Sequence, residues 1–381
     1  MKEKKRILLF ADWFAPGYKA GGPIRSCVNF AHSMRDHYDL YVFTSDRDLG
    51  ADRPYEQVRT DEWFRSNERI WLYYGSPGSV TWRNIRKQLG HIRPDFIYLN
   101  SMFSAKFSIL PLLIARIHGF KGKIVLSPRG MLRSSAVQFK SAKKKIFLRA
   151  FRLLRLSRCV NFLASDTTEE KDVRRYFGPT VPVACLPNFP AAVPDQPVIP
   201  EKKKGQLSLI CVGRVHPIKN TDYLLDVLAE VRADIRLTIV GSLEDKAFWE
   251  TCKLKIARLP ANIRVDYAGE LPHHELQAIT TGHHIFVLPT RGENFGHAIY
   301  EALALGKPVL ISDQTPWRNL TTAMAGWDLP LQEPEAFRRA IGQAAGFDQQ
   351  EYADWCAGTR AYVENYLAQL QLKDEYLKLF S

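Results

Sequence analysis

HIFVLPTRGENFGHAIYEALALGKPVLIS, residues 284–312, reads as strand, turn, helix and strand. HIFVLP (284–289) and PVLIS (308–312) are short apolar strands, and the helix between them runs to about Leu305 and stops at Gly306, a residue that commonly ends helices. Strand, crossover helix and strand make the unit from which parallel sheets are built. The same alternation extends outward, through LSLICVG (207–213), RLTIVG (236–241) and RVDYAG (264–269). In the first half it runs through RILLFA (6–11), LYVFTS (40–45), FIYLN (96–100), KIVLS (123–127) and NFLAS (161–165). Strands dense in Val, Ile and Leu and separated by helical segments predict parallel βαβ construction. Between the halves, LPNFPAAVPDQPVIPEKKKG (186–205) holds five prolines and a charged run, the composition of an exposed interdomain linker. The fold class is therefore α/β, with two Rossmann-like domains over 1–190 and 191–360. The last segment, AYVENYLAQLQLKDEYLKLF (361–380), is helical in period with no strand after it.

The bulk properties agree with a two-domain enzyme. A chain of 381 residues is too long for one typical core. It is 46% hydrophobic and 24% charged, ordinary for a globular protein. The start, MKEKKRILLF, passes from charge to a short apolar run and then Asp12, a first strand rather than a signal peptide. No apolar stretch approaches the roughly 18 residues of a membrane span. Six scattered cysteines without a CxxC pair suit reduced core thiols, so the expected setting is cytoplasmic. The net charge of +13 calls for a polyanionic partner: nucleic acid, anionic lipid or phosphorylated substrates.

In open parallel sheets ligands bind beyond the carboxyl ends of the strands, so the loops after strands carry the chemistry. GRVHPIKN (213–220) follows the first strand of the second domain. Asn220 or Thr221 is the expected N-cap of the next helix, with Leu224, Leu225, Leu228 and Val231 as its buried stripe. Such a turn offers unpaired amides to an anion, and Arg214 and Lys219 add two cations to it. The second loop carries Glu293, Asn294, Phe295 and Gly296, the glycine allowing close approach of backbone to a ligand. Glu301 lies five residues into the helix, about 7.5 Å along its axis. Two carboxylates so placed suit two hydroxyl-rich partners, a sugar and a ribose, on either side of a diphosphate. In the first domain, Gly21-Gly22 directly precede a helix whose expected first residue is Pro23. No GxGxxG motif occurs, which argues against a nicotinamide or flavin site.

GRVHPIKN followed by ENFGHAIYEALALGKPV resembles the retaining glycosyltransferases of family 4, whose E-x7-E signature matches Glu293 and Glu301. The Gly-Gly turn, VLSPRGML and SDQTPWRNL (312–320) extend the resemblance over nearly the whole chain. It implies the GT-B architecture: two Rossmann-like domains facing across a cleft, acceptor side first and donor side second, with the helix in 361–381 packing back on the first. It implies that Arg214 and Lys219 bind the donor diphosphate, that Glu293 contacts the donor sugar, and that Glu301 contacts the ribose. Amides around Phe295 and Gly296 complete the sugar–phosphate contacts, and Gly21 and Gly22 lie against the donor phosphate and acceptor.

One position departs from the family. Where many members have His-Gly, this chain has Arg129-Gly130. Arginine stays protonated and cannot be a general base, so Arg129 either pairs with a phosphate or anionic substrate group or ties its loop to a local carboxylate. The candidate catalytic residues are Glu293 and Arg129. Trp13, Phe14, Tyr18 and Met131 are candidates for shaping acceptor choice. His118-Gly119 ends a helix and reads as structural. Asp46 and Asp48 have the DxD spacing of a metal motif from a different fold, and His273-His274 and His283-His284 are adjacent rather than spaced i,i+4. No catalytic metal and no cofactor are expected, the nucleotide-diphosphate sugar being a co-substrate.

The stretch FKSAKKKIFLRAFRLLRLSR (139–158) holds much of the charge. On a helical wheel Lys144, Lys145, Arg149, Arg152, Arg155 and Arg158 gather on one side, with Ile146, Ala150, Phe151, Leu153 and Leu154 mostly on the other. Two readings stay open: the helix lies on an anionic membrane, or its apolar face is domain core. The expectation is a cytoplasmic retaining glycosyltransferase acting on a glycan or lipid-linked acceptor in bacterial-type surface polysaccharide synthesis, peripheral on the inner face of the membrane under the first of these readings, and with no nucleic-acid partner. The alternative is an isomerase of the nucleotide-sugar 2-epimerase kind on the same fold.

Overall fold

The computed structural model describes residues 4–133, 141–191, 193–194 and 198–381. They form two compact units, Met1–Phe189 with Gln371–Ser381, and Pro190–Leu370. The first unit holds β1 (Arg6–Phe10), β2 (Asp39–Ser45), β3 (Trp63–Asn67), β4 (Ile70–Gly75), β5 (Phe96–Leu99), β6 (Lys123–Leu126), β7 (Asn161–Ala164) and β8 (Val183–Cys185). Their order is β3-β4-β2-β1-β5-β6-β7-β8, parallel except for β3 against β4. Ile7, Leu8, Leu9 and Phe10 of β1 are each 0% exposed. Successive side chains of a strand point to opposite faces, so both faces of the sheet are covered.

The second unit holds β9 (Gln206–Val212), β10 (Asp234–Val240), β11 (Ile263–Gly269), β12 (Ile285–Leu288), β13 (Val309–Ser312) and β14 (Gly326–Leu329). The order β11-β10-β9-β12-β13-β14 is parallel throughout. From β9 the chain builds outward to β10 and β11, then returns to place β12 on the other side of β9. The order reverses between β9 and β12, which makes their carboxyl ends a topological switch point. Leu209, Phe286, Val287, Leu310 and the helical Leu224, Leu228 and Ile299 pack into this unit's core.

Four strands escape the sequence reading. β8 and β14 span three and four residues, too short for a periodic signal. β3 and β4 are an antiparallel pair built on aromatics, with Trp71 stacked on Tyr41 at 4.9 Å and Tyr73 on Phe43 at 4.6 Å.

The linker reading needs a correction as well. Lys202, within the charged run, is 4% exposed. Its Nζ donates to the carbonyls of Lys203, Ala345 and Phe347, at 3.0, 3.0 and 2.9 Å. Two of these acceptors close the helix Pro334–Gly346, whose C-terminal end attracts a cation.

The C-terminal segment is two helices rather than one. Gln349–Gln369, opened by an Asp348/Glu351 capping box, belongs to the second unit, and the chain turns extended at Leu370. Only Leu372–Leu379 joins the first unit, where Leu372, Tyr376 and Phe380 are buried. Tyr38 Oη donates to the Phe380 carbonyl at 3.0 Å and Tyr376 Oη to that of Pro187 at 3.2 Å. No helix among the described residues is long and apolar enough to cross a membrane.

Candidate functional site

The loops after β9 and β12 lie at the switch point and are fastened to each other. Ile218 carbonyl accepts from Arg291 N at 2.7 Å and from Thr290 Oγ1 at 3.0 Å. Asn220 occupies the N-cap position of the helix Thr221–Leu228 with φ +61, but its side chain does not cap. Its Oδ1 instead accepts from Arg291 Nε at 3.0 Å. Lys219 and Glu293, 74 residues apart in sequence, meet as an ion pair through Nζ and Oε1, each 16% exposed. The Glu293 amide in turn donates to the Gln314 carbonyl after β13 at 3.0 Å. Three strand ends thus hold one half-buried cation and one carboxylate in place.

Arg214 takes a different partner. An isolated bridge between Val215 and Leu243 carries the loop after β10 alongside, and Glu244 on that loop pairs with Arg214, both more than 40% exposed. Glu244 is absent from the sequence reading; its place beyond a strand end in GSLED (241–245) was the available signal. Both cations of the 213–220 turn are therefore neutralised by carboxylates, and an anion bound by either would have to displace Glu244 or Glu293.

The third component is the start of the helix His297–Ala304. Gly296 is its N-cap at φ +73 and offers no side-chain cap, so the first-turn amides keep donors for an anion. A Cβ at Gly296 would stand 2.9 Å from Ile299 Cδ1, and the left-handed backbone favours glycine independently. Phe295 is buried, and its carbonyl accepts from Trp317 Nε1 at 2.7 Å. Asn294 is half-buried in the same turn. Glu301 sits in the second turn at 16% exposure, its Oε1 3.9 Å from Nε2 of His273 at the start of the helix His273–Thr281.

The first unit has its own switch point, with β1 between β2 and β5. After β1, Gly21 adopts φ +63, ψ −119 as the uncapped N-cap of the helix Gly22–Met34, a conformation open to glycine. The helix begins at Gly22, with Pro23 second, one residue earlier than expected. Asp12, at the end of β1, accepts from Ser104 Oγ at 2.7 Å, and burial raises its carboxyl above the usual range.

Arg129 points inward. Its backbone is left-handed at φ +56. Nη2 donates to Tyr98 Oη at 2.9 Å and Asn100 Oδ1 at 2.6 Å, and Nη1 donates to Asn188 Oδ1. The nearby buried carboxylate, Glu169, takes the Gly130 amide and both the amide and hydroxyl of Ser165. The loop is tied to a carboxylate, but through the Gly130 backbone. The guanidinium joins the segments after β5, β6 and β8 by neutral acceptors, and these contacts favour an internal tie over a phosphate contact.

The other sequence candidates fall into structural places. Asp46 pairs with Arg47 at 2.8 Å, and Asp48 accepts from the amides of Tyr18, Lys19 and Leu49. His283 Nε2 meets Thr238 Oγ1 at 2.8 Å. His284 Nδ1 accepts from Ser208 N at 2.9 Å, which leaves Nε2 to donate to the Glu201 carbonyl at 2.8 Å. Burial brings this imidazole down to about 4. Phe14 is buried, and Met131 Sδ accepts from Ser101 Oγ at 3.5 Å. The six cysteines are free thiols, and burial pushes Cys27 up to about 11 and Cys211 to about 12. Among the described residues no group of three or more His, Cys, Asp or Glu is gathered to hold a metal ion.

Residues 193–344 match the family model of glycosyl transferases group 1. The match covers most of the second unit and less than half of the chain. The matched segment begins before β9 and ends within the helix Pro334–Gly346, so Arg214, Lys219, Glu293, Gly296 and Glu301 all lie inside it. The chain is 26% identical over 192 residues to the D-inositol 3-phosphate glycosyltransferase of Frankia alni, covering 42% of this chain and 44% of that protein. The match thus spans less than half the length of that curated relative. Two solved structures align over almost the whole chain. HepE of Anabaena in complex with UDP and glucose has a TM-score of 0.64 at 15% identity, covering 95% of each chain. A lipopolysaccharide outer core galactosyltransferase has a TM-score of 0.59 at 15% identity, covering 95% of this chain and 98% of that one. At this identity the likeness establishes the fold: a GT-B chain of two parallel-sheet α/β units.

Proposed function

We propose that this protein moves a glycosyl group, with retention, from a nucleotide-diphosphate sugar to a glycan or lipid-linked acceptor in the assembly of a bacterial-type surface polysaccharide. The observation that carries the reading is the Lys219–Glu293 pair at the β9/β12 switch point, beside the uncapped helix start at Gly296. A bound diphosphate draws Lys219 and Arg214 from their carboxylates and takes the amides around Phe295 and Gly296. Glu293, released, accepts from hydroxyls of the donor sugar, and Glu301 from the ribose. The UDP and glucose held by HepE support a nucleotide-sugar donor, and the galactosyltransferase supports a surface-glycan acceptor. The second unit binds the donor and the first receives the acceptor.

Retention follows from attack on the face the leaving group occupies. The acceptor oxygen bonds the anomeric carbon as the bond to the diphosphate breaks, and the acceptor proton passes to the leaving phosphate oxygen. Buried thiols with raised pKa values make poor competing nucleophiles. The two cations stabilise the leaving diphosphate without a metal, so turnover survives a chelator. Free thiols accord with a cytoplasmic setting.

The test is a panel of nucleotide sugars supplied with and without acceptor glycans. A transferase releases nucleoside diphosphate in an acceptor-dependent way, and proton NMR of the product shows the donor's anomeric configuration. Conversion to a new nucleotide sugar at the same rate without acceptor would establish the isomerase instead, and an inverted product would remove retention.

A further inference from the structure

Residues 96–165 contain 14 Lys and Arg and no Asp or Glu. The rest of the chain holds 39 against 40 and is close to neutral, so the whole net charge of +13 originates in this one segment. Part of that charge is internal, as with Arg129. Much of the remainder lies on the helix Ser141–Leu153 and the turn that follows it. Of the basic stretch 139–158, residues 139 and 140 lie outside the described residues.

This helix does not divide its side chains as the sequence suggests. Leu148 and Phe151 enter the core of the first unit, with Phe147 half-buried against it. Ile146 is 65% exposed, Leu153 82% and Leu154 57%. Ile146 and Leu153 stand seven residues apart, two turns along one stripe, so the helix carries a second apolar row opposite its core face. Lys143, Arg149 and Arg152 flank that row and are exposed too. Large aliphatics left in water amid cations and without a carboxylate anywhere in the segment leave their apolar surface unburied. An acidic protein groove or a second copy of this chain are competing occupants. The second copy fits poorly, because two such faces would bring like charges together.

We infer that the exposed face of the helix Ser141–Leu153 docks on an anionic lipid surface, with Ile146, Leu153 and Leu154 entering the acyl boundary and Lys143, Arg149 and Arg152 meeting headgroup phosphates. Apolar insertion and charge attraction are the two components of interfacial binding, and here they occupy one helix face. The inference stands on the first unit alone and is independent of glycosyl transfer.

The experiment is co-sedimentation of the full chain with phosphatidylcholine vesicles that contain or lack phosphatidylglycerol. The expected result is binding at low salt to the anionic vesicles, weakened by added salt and slight on the neutral ones. Arg149→Gln with Arg152→Gln should weaken partitioning on the order of 30-fold, at about fivefold for each cation near an anionic surface. Ile146→Ser, Leu153→Ser and Leu154→Ser together should weaken it by roughly tenfold or more. All five positions are exposed, so thermal melts should match the parent and rule out misfolding. No binding to anionic vesicles, or binding indifferent to both variants, overturns the inference. So does a parent dimer that the triple variant turns into a monomer while vesicle binding persists, which assigns the stripe to a second copy.

Discussion

Replacing Lys219 by alanine tests the phosphate role proposed for the loop after β9. Lys219 and Glu293 are each 16% exposed, so their interaction is mostly withdrawn from water. A hydrogen bond involving a charged group contributes about 1.5–3 kcal/mol in such a setting. When a diphosphate arrives, Lys219 exchanges a singly charged carboxylate for a more highly charged phosphate group, and the difference is what the lysine adds to binding. Without Lys219 the nucleoside diphosphate loses only that difference, about 1 kcal/mol or roughly fivefold in Kd. Glu293→Gln acts in the opposite sense on the same measurement. It removes the competing carboxylate, so nucleoside diphosphate lacking a sugar should bind more tightly, by about threefold to tenfold. Transfer should nevertheless fall at least tenfold, because glutamine replaces the carboxylate that accepts from sugar hydroxyls. Calorimetric titration with UDP and with GDP reads the binding, and steady-state turnover reads the chemistry. Lys219→Arg keeps the charge and controls for the Glu293 carboxylate left unpaired in the alanine variant. If Lys219→Ala binds within twofold of the parent, the phosphate assignment is wrong. If Glu293→Gln weakens the sugar-free nucleotide as much as Lys219→Ala does, the competition argument is wrong.

Glu244→Gln should leave the melting temperature almost unchanged, since an exposed pair contributes about 0–1 kcal/mol, while freeing Arg214 and tightening nucleoside diphosphate binding by about threefold; weaker binding would mean that Glu244 positions Arg214 rather than competing for it. Gly296→Ala puts a Cβ 2.9 Å from Ile299 Cδ1 at φ +73 and should lower stability by about 1–2 kcal/mol in urea unfolding, with donor binding falling alongside. His284 makes the second unit acid-sensitive. Its folded value is about 4 against an ordinary 6.5, so unfolding takes up a proton below that ordinary value. The stabilisation is complete above about pH 6.5 and is lost as pH falls toward 4, amounting to about 2 kcal/mol between pH 7 and pH 5. Denaturant unfolding at the two pH values checks it, and His284→Gln should flatten the slope; an equally steep slope in that variant assigns the effect elsewhere.

The parallel strands were legible because each is a dense apolar run ending at a glycine or polar turn, as in LSLICVG and HIFVLP. The loops after β9 and β12 stood out as candidates because they follow those strands and carry charge. Glu244 was not, because an acid in a polar loop has no local signature, and only the Val215–Leu243 bridge places it against Arg214. Lys202 reads as solvated among its charged neighbours, yet three carbonyls drawn from two segments enclose its ammonium. For Arg129 the sequence leaves two partners open, and the left-handed backbone that turns the side chain toward Asn100, Tyr98 and Asn188 is set by the tertiary path of the loop.

Local pattern alone determined the α/β class and the two loops that hold Lys219 and Glu293. Those are properties of short windows, in which side-chain periodicity and turn residues act without regard to distant chain. That Lys219 meets Glu293 depends on β12 returning to the far side of β9 after β10 and β11 are laid down. The division of the basic helix into a core face and an exposed apolar row was likewise decided only in three dimensions. A helical wheel records which residues share a side, but burial depends on which side the rest of the molecule covers.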